Sequence, residues 1–550
     1  MTDSHTRVAR AFLVAALTLS CGSNTDSPKA NMGAAGASGS ATVSGGTGGT
    51  APSSAGTGGA GDGGNGGNGG NGSSVTVAGS GGTATSTGGT AGGAAGAAGA
   101  AGAAAGVGGT PSTMTSTNRF PAPNASVCAD APLRLTFPGP VTLGNAGKIQ
   151  VFKLSAPNTA VDSIDIAATS FRDTIAARVF YKVRPIFFEG NDVVMYLKTK
   201  ALAAGDTYFV TVGAGVFVDA AKAPVPAISG TDWQFHTVAP APAAANALTV
   251  SREGGGDFCT VQGAVDFIPA ANATPVTVTI KNGTYHEIVY IPGKSKVTLK
   301  GEDRKKTIIA YPNNDTLQQK LGTGFRALIE AESSNQLTLA NLTVHNTTPQ
   351  GGSQAEAVRI EPGDQARLID SDFISLQDTL LLSGRAYVSN SYVEGNVDLI
   401  WGTGAAYFVN SEIKTVGTAG YVVQSRNGLG YGYVFVDSTF TTDGHANGTV
   451  LGRIEGDRFP ISNVAYVNCK FATSLIAPAG WLITNSTGAS TATLDLSGLR
   501  FWEYLSTDLN GKAVDTSRRD PASKQVTESQ AATLRDPSQV LAGWTPDVLL

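Results

Sequence analysis

The sequence predicts an all-β protein in which a right-handed parallel β-helix follows a β-sandwich and a disordered, glycine-rich tether. Three observations lead to this prediction. A tetrapeptide that begins with Asn or Asp starts at positions 341, 370, 390, 410, 437 and 468. Short alternating strands fill residues 121–238, and 32 of the 70 glycines lie in residues 22–117. A period of about 20 residues with variable insertions is typical of a solenoid with loops on one face.

Length and composition limit the classes of protein to be considered. A chain of 550 residues is too long for one compact core, so we expect two or more domains. Charged residues make up 15% and the net charge is −4, which argues against a nucleic-acid partner because such a partner requires a basic face. Four cysteines are too few for a disulfide scaffold. With Cys21 set aside, Cys128, Cys259 and Cys469 leave at least one thiol unpaired, and no pairing can be read from the sequence.

Residues 1–21 have the pattern of an export signal. Arg7 and Arg10 provide positive charge before the apolar run 11–19, which is too short to span a bilayer. The run up to Cys21 resembles the signal of bacterial lipoproteins, in which the cysteine carries the lipid. Ordinary cleavage without a lipid is the alternative. We therefore expect an exported bacterial protein, attached to the cell surface through a lipidated Cys21 or secreted.

Residues 22–117 differ sharply from the rest of the chain. Asn-Gly-Gly repeats occur near 65–72 and Ala-Ala-Gly repeats near 94–106, and three charged residues stand in the whole segment. Such a composition cannot bury enough apolar surface to offset the entropy of ordering it. The segment is therefore predicted to be a disordered linker.

The strands of residues 121–238 are separated by turn signals such as Pro-Gly-Pro at 138–140, a pattern typical of an all-β sandwich. The end of this region, with Gly-Asp-Thr-Tyr at 205–208 and Trp-Gln-Phe at 233–235, resembles bacterial Ig-like domains. It contains no catalytic constellation, so we expect a spacer or adhesive role. Residues 239–245, rich in Pro and Ala, are the predicted linker to a second domain at 246–550.

Two aspartates, Asp378 and Asp398, stand in the same place relative to two successive copies of the tetrapeptide, those that start at Asp370 and Asn390. They are therefore predicted to occupy equivalent positions on neighbouring turns, about 4.7–4.9 Å apart. Two carboxylates at that distance resist simultaneous ionisation, which suits one as an acid and the other as a nucleophile or base. The pair is our candidate catalytic centre.

The region from residue 246 resembles the pectinesterases (pectin methylesterases), in six separate motifs that follow the order of that family. They are Gly-Thr-Tyr-His-Glu at 283–287, Gln-Ala at 354–355 with Val-Arg at 358–359, Gln-Asp-Thr-Leu at 377–380, Val-Asp-Leu-Ile-Trp-Gly at 397–402, Gln-Ser-Arg at 424–426 and Leu-Gly-Arg at 451–453. The resemblance implies a parallel β-helix that hydrolyses methyl esters of polygalacturonate (pectin). It implies no metal and no organic cofactor.

The resemblance also implies roles for individual residues. Asp398 corresponds to the nucleophile that attacks the ester carbonyl, and Asp378 to the acid that protonates methanol and then activates water. Gln377 corresponds to the amide donor that stabilises the oxyanion, with Gln354 assisting. Arg453 would hold Asp398 ionised and oriented. A fixed carboxylate nucleophile, a proton donor for methoxide and neutral amide donors are the groups that this chemistry requires.

Substrate contacts are expected at Trp401, which stands where the family has an aromatic ring against the sugar, and at Arg426. One position departs from the family pattern, because Glu455 stands where the family commonly has a Trp that stacks on substrate. Its carboxylate would repel polygalacturonate, unless Arg359, Arg426 and Arg458 face the groove and offset it.

Two other functions remain open. Carboxylates about 5 Å apart also suit a retaining glycosidase that cleaves polygalacturonate, but that interpretation leaves the two glutamines and Arg453 without a role. A non-catalytic surface adhesin would explain the tether and the sandwich, but it gives no reason for an intact pair of aspartates. We expect a monomer whose partner is the polysaccharide substrate.

Overall fold

The computed structural model of the protein describes residues 112–319, 324–428, 430 and 432–547. The predicted signal peptide with Cys21, and the predicted tether up to residue 111, lie outside the described residues. Among the described residues, no helix is both long and apolar enough to cross a membrane.

The N-terminal part of the described chain is built from short strands. They are β1 (Asn118–Phe120), β2 (Ser126–Cys128), β3 (Leu133–Thr136), β4 (Thr142–Leu143), β5 (Lys148–Lys153), β6 (Ala156–Asp165), β7 (Ser170–Ile175), β8 (Arg178–Val183), β9 (Ile186–Glu189), β10 (Asp192–Met195), β11 (Thr207–Val212), β12 (Phe217–Val218) and β13 (Gln234–Val238).

Two of the sheets formed by these strands enclose a core. One has the order β1-β3-β10-β9 and the other β2-β13-β11-β5-β6, and their neighbours are antiparallel except for the pair β2–β13. Alternate residues of β3, such as Leu133 and Leu135, are buried with Val210 and Phe235 of the other sheet, as the period of two along a strand requires. The region is therefore a two-layer β-sandwich.

From residue 247 the described part of the chain forms a coil of parallel strands with four short helices. The elements are β14 (Ala247–Val250), α1 (Val261–Phe267), β15 (Val276–Ile280), β16 (Gly283–Tyr285), β17 (Val289–Pro292), β18 (Val297–Gly301), β19 (Thr307–Tyr311), α2 (Asp315–Gln318), β20 (Ile329–Glu332), β21 (Thr338–Ala340), β22 (Thr343–Asn346), β23 (Val358–Ile360), β24 (Ala366–Ile369), β25 (Asp372–Ile374), β26 (Leu380–Leu382), β27 (Arg385–Ser389), β28 (Tyr392–Gly395), β29 (Ile400–Gly402), β30 (Ala405–Val409), β31 (Glu412–Thr415), β32 (Tyr421–Ser425), β33 (Tyr433–Val436), β34 (Thr439–Thr442), β35 (Val450–Glu455), β36 (Asn463–Val467), β37 (Lys470–Phe471), β38 (Trp481–Thr484), β39 (Arg500–Tyr504), β40 (Thr507–Asp508), β41 (Ser523–Gln525), α3 (Glu528–Arg535) and α4 (Pro537–Val540).

These strands form three parallel sheets that run the length of the coil. The first is β14-β15-β18-β21-β24-β27-β30-β33-β36-β39-β41, the second β16-β19-β22-β25-β28-β31-β34-β37-β40, and the third β17-β20-β23-β26-β29-β32-β35-β38. The turns from β15–β17 to β36–β38 each contribute one strand to each sheet, as in a parallel β-helix. The three sheets confirm the prediction of an all-β protein that contains a parallel β-helix.

The recurring Asn or Asp lies at a corner between the first and second sheets. The residue at this corner has a left-handed backbone in six turns: Asn341, Asp370, Asn390, Asn410, Asp437 and Asn468. Asn and Asp tolerate this conformation better than other residues with a Cβ atom, because their short polar side chains bond locally. The repeat is therefore explained by backbone geometry at the corner.

Like side chains stack inside the coil from turn to turn. The rings of Phe408 and Phe435 lie 4.6 Å apart, and those of Phe435 and Tyr466 lie 4.9 Å apart. Because strands pair in register, residues one turn apart face the same part of the interior. Helix α1 packs on β14 and β17 at the start of the coil, and α3 and α4 pack on the outside of the first sheet.

The sandwich and the coil are joined by apolar contacts and by a disulfide. The hairpin β7–β8 extends to the coil, where Ile175 and Phe180 join its buried apolar cluster. The disulfide between Cys128 and Cys259 joins the two regions across 131 residues, and Cys469 is a buried free thiol. One cysteine of the three therefore stays unpaired.

Candidate active site

Three acidic residues lie at equivalent positions on successive turns of the third sheet. Val358 of β23 pairs with Leu380 of β26, and Leu380 pairs with Ile400 of β29. The residue two positions before each of these is Glu356, Asp378 and Asp398 respectively. We call these three residues the acidic column. The structure thus places the two predicted aspartates on neighbouring turns and adds a third carboxylate that was not predicted.

The backbone at both aspartates is left-handed, with φ of +64° at Asp378 and +51° at Asp398. The main-chain N–H of Asp378 donates to the carbonyl of Val397 (2.9 Å), and Gln377 forms a bridge with Val397. Aspartate suits this corner because it tolerates a left-handed backbone. The corner therefore fixes both side chains while the coil continues on either side.

Asp398 is almost completely buried and is paired with one arginine. The residue is 3% exposed, and Arg453 Nε donates to its Oδ1 (2.7 Å) while Arg453 Nη2 donates to its Oδ2. The guanidinium of Arg453 also lies over the ring of Tyr421, with Cζ 4.7 Å from the ring centre. This two-point ion pair fixes the orientation of the carboxylate.

Asp378 has a different environment although it is nearly as buried, at 6% exposure. A single donor, Arg326 Nη2, reaches its Oδ2 (2.9 Å), and Nε of the same arginine donates to both carboxylate oxygens of Glu356 (3.0 Å each). Burial, and then the charge of Glu356, raise the pKa of Asp378 to about 8. The structure thus holds one carboxylate in an ion pair and keeps its neighbour ready to carry a proton at neutral pH.

The main chains of Gln377 and Gln354 lie next to the acidic column. The carbonyl of Gln377 accepts from the N–H of Ala355 (3.2 Å), and the carbonyl of Gln354 accepts from the N–H of Asp315 (2.9 Å). Both side chains are partly exposed, and neither amide nitrogen donates to any residue that the structure describes. Both amides therefore have donors available for a bound group.

Trp401 lies on β29, where it pairs with Leu381 on one side and Gln424 on the other. Two guanidinium groups face its ring: Cζ of Arg426 is 4.7 Å from the ring centre and Cζ of Arg326 is 5.6 Å away. Arg426 Nη2 also donates to Gln424 Oε1 (2.9 Å). The predicted substrate residues Trp401 and Arg426 are therefore in contact with each other and, through Arg326, with the acidic column.

The carboxylate that departs from the family pattern is neutralised locally. Glu455 Oε2 accepts a hydrogen bond from Arg458 Nη1 (2.8 Å). Arg359, by contrast, pairs with Glu330 (2.8 Å) and Glu361 (2.7 Å). Of the three arginines that could offset Glu455, it is Arg458 that does so by direct contact.

Glu356 and Arg326 were not predicted from the sequence. A signal for Glu356 existed, because a glutamate directly follows Gln-Ala at 354–355 in a run that is otherwise apolar. Arg326 carries no such signal, since it lies 52 residues before the aspartate that it contacts. A metal site was not predicted; the one cluster of potential ligands among the described residues is Cys128, Asp130 and Cys259, in which the two cysteines form the disulfide.

Comparison with known proteins gives consistent results. The family model described as Pectinesterase matches residues 247–428. Pectinesterase 31 of Arabidopsis thaliana is 30% identical over 220 residues, which are 38% of this chain and 68% of the relative. Probable pectinesterase 8 of the same plant is 30% identical over 306 residues, 52% of this chain and 73% of the relative.

Among solved structures, pectin methylesterase PemA from Erwinia chrysanthemi is 26% identical, with a TM-score of 0.47, over 56% of this chain and 100% of that protein. The carrot pectin methylesterase is 24% identical, with a TM-score of 0.47, over 55% of this chain and 95% of that protein. On the strength of the sequence matches, this chain belongs to the pectinesterase family.

Proposed function

We propose that this protein removes methyl esters from pectin and releases methanol, with Asp398 as nucleophile and Asp378 as general acid and base. The observation that carries the proposal is the unequal pair of buried carboxylates on adjacent turns. Asp398 has a two-point ion pair with Arg453, whereas the pKa of Asp378 is raised to about 8. Such a pair supplies a charged nucleophile and a proton donor at the same pH.

In the first step, an oxygen of Asp398 attacks the ester carbonyl carbon and the carbonyl electron pair moves to oxygen. The tetrahedral intermediate then loses methoxide as the C–O bond breaks, and the proton of Asp378 goes to that oxygen, so that methanol leaves. The product of this step is a mixed anhydride between Asp398 and the galacturonyl group. Proton donation is required because methoxide is a poor leaving group.

In the second step, Asp378 is ionised and takes a proton from water. The hydroxide attacks the galacturonyl carbon of the anhydride, the carboxylate of Asp398 departs, and Asp378 holds a proton again. The net reaction is ester plus water to carboxylic acid plus methanol. Both aspartates return to their starting states, so no co-reactant other than water is consumed.

Gln377 and Gln354 are proposed as donors to the oxyanion of both intermediates. Their amide nitrogens are free of hydrogen bonds to the described residues, and neutral donors do not compete with the ion pair at Asp398. One preorganised oxyanion donor contributes roughly 3–4 kcal/mol to catalysis.

Trp401 and Arg426 are proposed to contact the sugar chain near the scissile ester. The guanidinium of Arg426 lies over the indole ring of Trp401, so that a positive charge and an aromatic edge occur on one surface. Glu455 is expected to disturb binding of polygalacturonate less than a bare carboxylate would, because Arg458 neutralises it.

The test is to incubate the protein with highly methylated pectin and to measure methanol and chain length together. The proposal requires methanol without new reducing ends, and the variant Asp398→Asn serves as the inactive control. New reducing ends would favour a glycosidase, and neither product would favour an adhesin.

For the N-terminal part we propose export, a lipidated Cys21 and a flexible tether that lets a monomeric enzyme reach polymer beyond the cell surface. The Ig-like character of the sandwich and the right-handed sense of the coil belong to the same proposal. Mass spectrometry of the mature N-terminus tests the anchor, since a free N-terminus at or after Cys21 would exclude it.

A further inference from the structure

The third member of the acidic column, Glu356, has no role in the mechanism above. It is completely buried, one turn before Asp378. A buried carboxylate is costly unless it is paired, so its presence beside a catalytic centre needs an explanation. Its partner is Arg326, which also contacts Asp378.

The two arginines that contact the column are used differently. Arg453 gives two donors to Asp398 alone. Arg326 instead serves two carboxylates: its Nε donates to both oxygens of Glu356, and its Nη2 donates to one oxygen of Asp378. Three carboxylates therefore face two guanidinium groups, and the column is neutral when it holds one proton.

We propose that Glu356 and Arg326 act as a positioning pair that gives Asp378, and not Asp398, the role of general acid. This inference rests on the proposed ester hydrolysis. The proton resides on Asp378 because that residue receives one donor, whereas Asp398 receives two and Glu356 accepts from Nε with both oxygens. Without Glu356, more of the charge of Arg326 would act on Asp378 and would favour its ionised form.

Other charged groups also lie near the column. Arg359 lies near Glu356 but is matched by Glu330 and Glu361. Arg326 Nη1 lies 3.6 Å from Asp315, which takes up part of its charge. The charged groups that act on Asp378 itself are Glu356, Arg326, Asp398, Arg426 and Arg453.

The electrostatics agree with the geometry. Burial and the charge of Glu356 are the two largest causes that raise the pKa of Asp378, and the charge of Arg326 lowers it. Burial raises the pKa of Glu356 as well. Removal of the Glu356 carboxyl therefore takes away the largest like charge that acts on Asp378 and leaves Arg326 in place.

The test is the variant Glu356→Gln, for which kcat/KM for methanol release is measured against pH. We expect the alkaline limb to move at least one pH unit lower than in the wild type, which is a loss of about fivefold or more at pH 8 that approaches tenfold at higher pH. At pH 5 the variant should retain most of the wild-type activity. A nitrophenyl ester of galacturonate, whose leaving group departs without a proton, should show no comparable loss at pH 8.

Glu503→Gln is the matched control, because Glu503 is another completely buried glutamate that pairs with an arginine, Arg519, and it lies on β39 of the first sheet. It should leave the pH profile in place. If Glu356→Gln does not fold, Glu356→Met removes the same charge with a side chain of similar length. The inference is overturned if the profile does not move, or if activity falls equally at every pH and with both esters. A wild type that releases no methanol would instead refute the proposed function.

Discussion

Asp398 and Asp378 stand at the same corner of adjacent turns, yet their neighbours differ. Asp398 has Arg453 to itself, whereas Asp378 shares Arg326 with Glu356. The backbone conformation and the burial of the two aspartates are nearly the same. The comparison teaches that a repeating coil provides equivalent positions, and that long side chains from other turns make those positions chemically unequal.

The largest loss of activity is expected when the nucleophile is removed. Asp398→Asn keeps the shape of the side chain but cannot form the anhydride, so we expect a loss in kcat of about 10⁴-fold or more. The nitrophenyl ester should not restore activity, because attack itself is lost. Methanol release is the measurement, and a rate near that of the wild type would show that Asp398 is not the nucleophile.

The corresponding change in the acid should be less severe and should depend on the leaving group. For Asp378→Asn we expect a loss of about 10²–10⁴-fold on the methyl ester. With the nitrophenyl ester, the first step should recover and one equivalent of nitrophenol should appear in a burst, because water is no longer activated for the second step. The absence of a burst, with equal losses on both esters, would contradict the assignment.

The oxyanion donor Gln377 should serve both steps of the reaction, whichever aspartate acts in each. Gln377→Ala should lower kcat by about 10²–10³-fold with little change in KM. Gln365→Ala is a suitable control, since Gln365 lies at another corner of the coil, where its Oε1 accepts a hydrogen bond from Gln336 Nε2. An effect on KM alone would assign Gln377 to binding rather than to the oxyanion.

The smallest expected effect is on stability. A folded-state pKa of about 8 for Asp378 lies above its unfolded value, so the stability that this group contributes is present below about pH 4 and lost as the pH rises through 8. Asp378→Asn should therefore raise the Tm relative to the wild type at pH 8 and change it little at pH 4. Thermal unfolding at the two pH values checks this, and a lower Tm at pH 8 would mean that the carboxylate is stabilising.

The coil and the position of the aspartates were predictable because both follow from a local rule. Asn390 and Asn410 stand one turn apart, since each turn needs a residue that tolerates a left-handed corner. Asp378 and Asp398 share that period, so their equivalence could be read directly. Glu356 escaped notice because the turn that begins at Asn341 is longer than the one that begins at Asp370, and the insertion hides its place in the column.

Contacts between distant parts of the chain could not be predicted. The strand that contains Phe180 alternates like any other strand of the sandwich, yet Phe180 is buried in the coil. Gln318 accepts from the N–H of Tyr181 and donates to its carbonyl, which joins the hairpin to α2. Neither contact leaves a periodic signal, because each depends on how residues that are far apart in the sequence meet.

The central claim is that Asp398, and not Asp378, becomes acylated. The most direct measurement is to quench Asp378→Asn with hydroxylamine during turnover of the nitrophenyl ester, and to locate the modified residue by peptide mass spectrometry. Hydroxylamine converts an aspartyl anhydride that it attacks at the aspartyl carbonyl to a hydroxamate, which marks the nucleophile. The account predicts the label on Asp398. A label on any other carboxylate, with Asp398 unmodified, would contradict it.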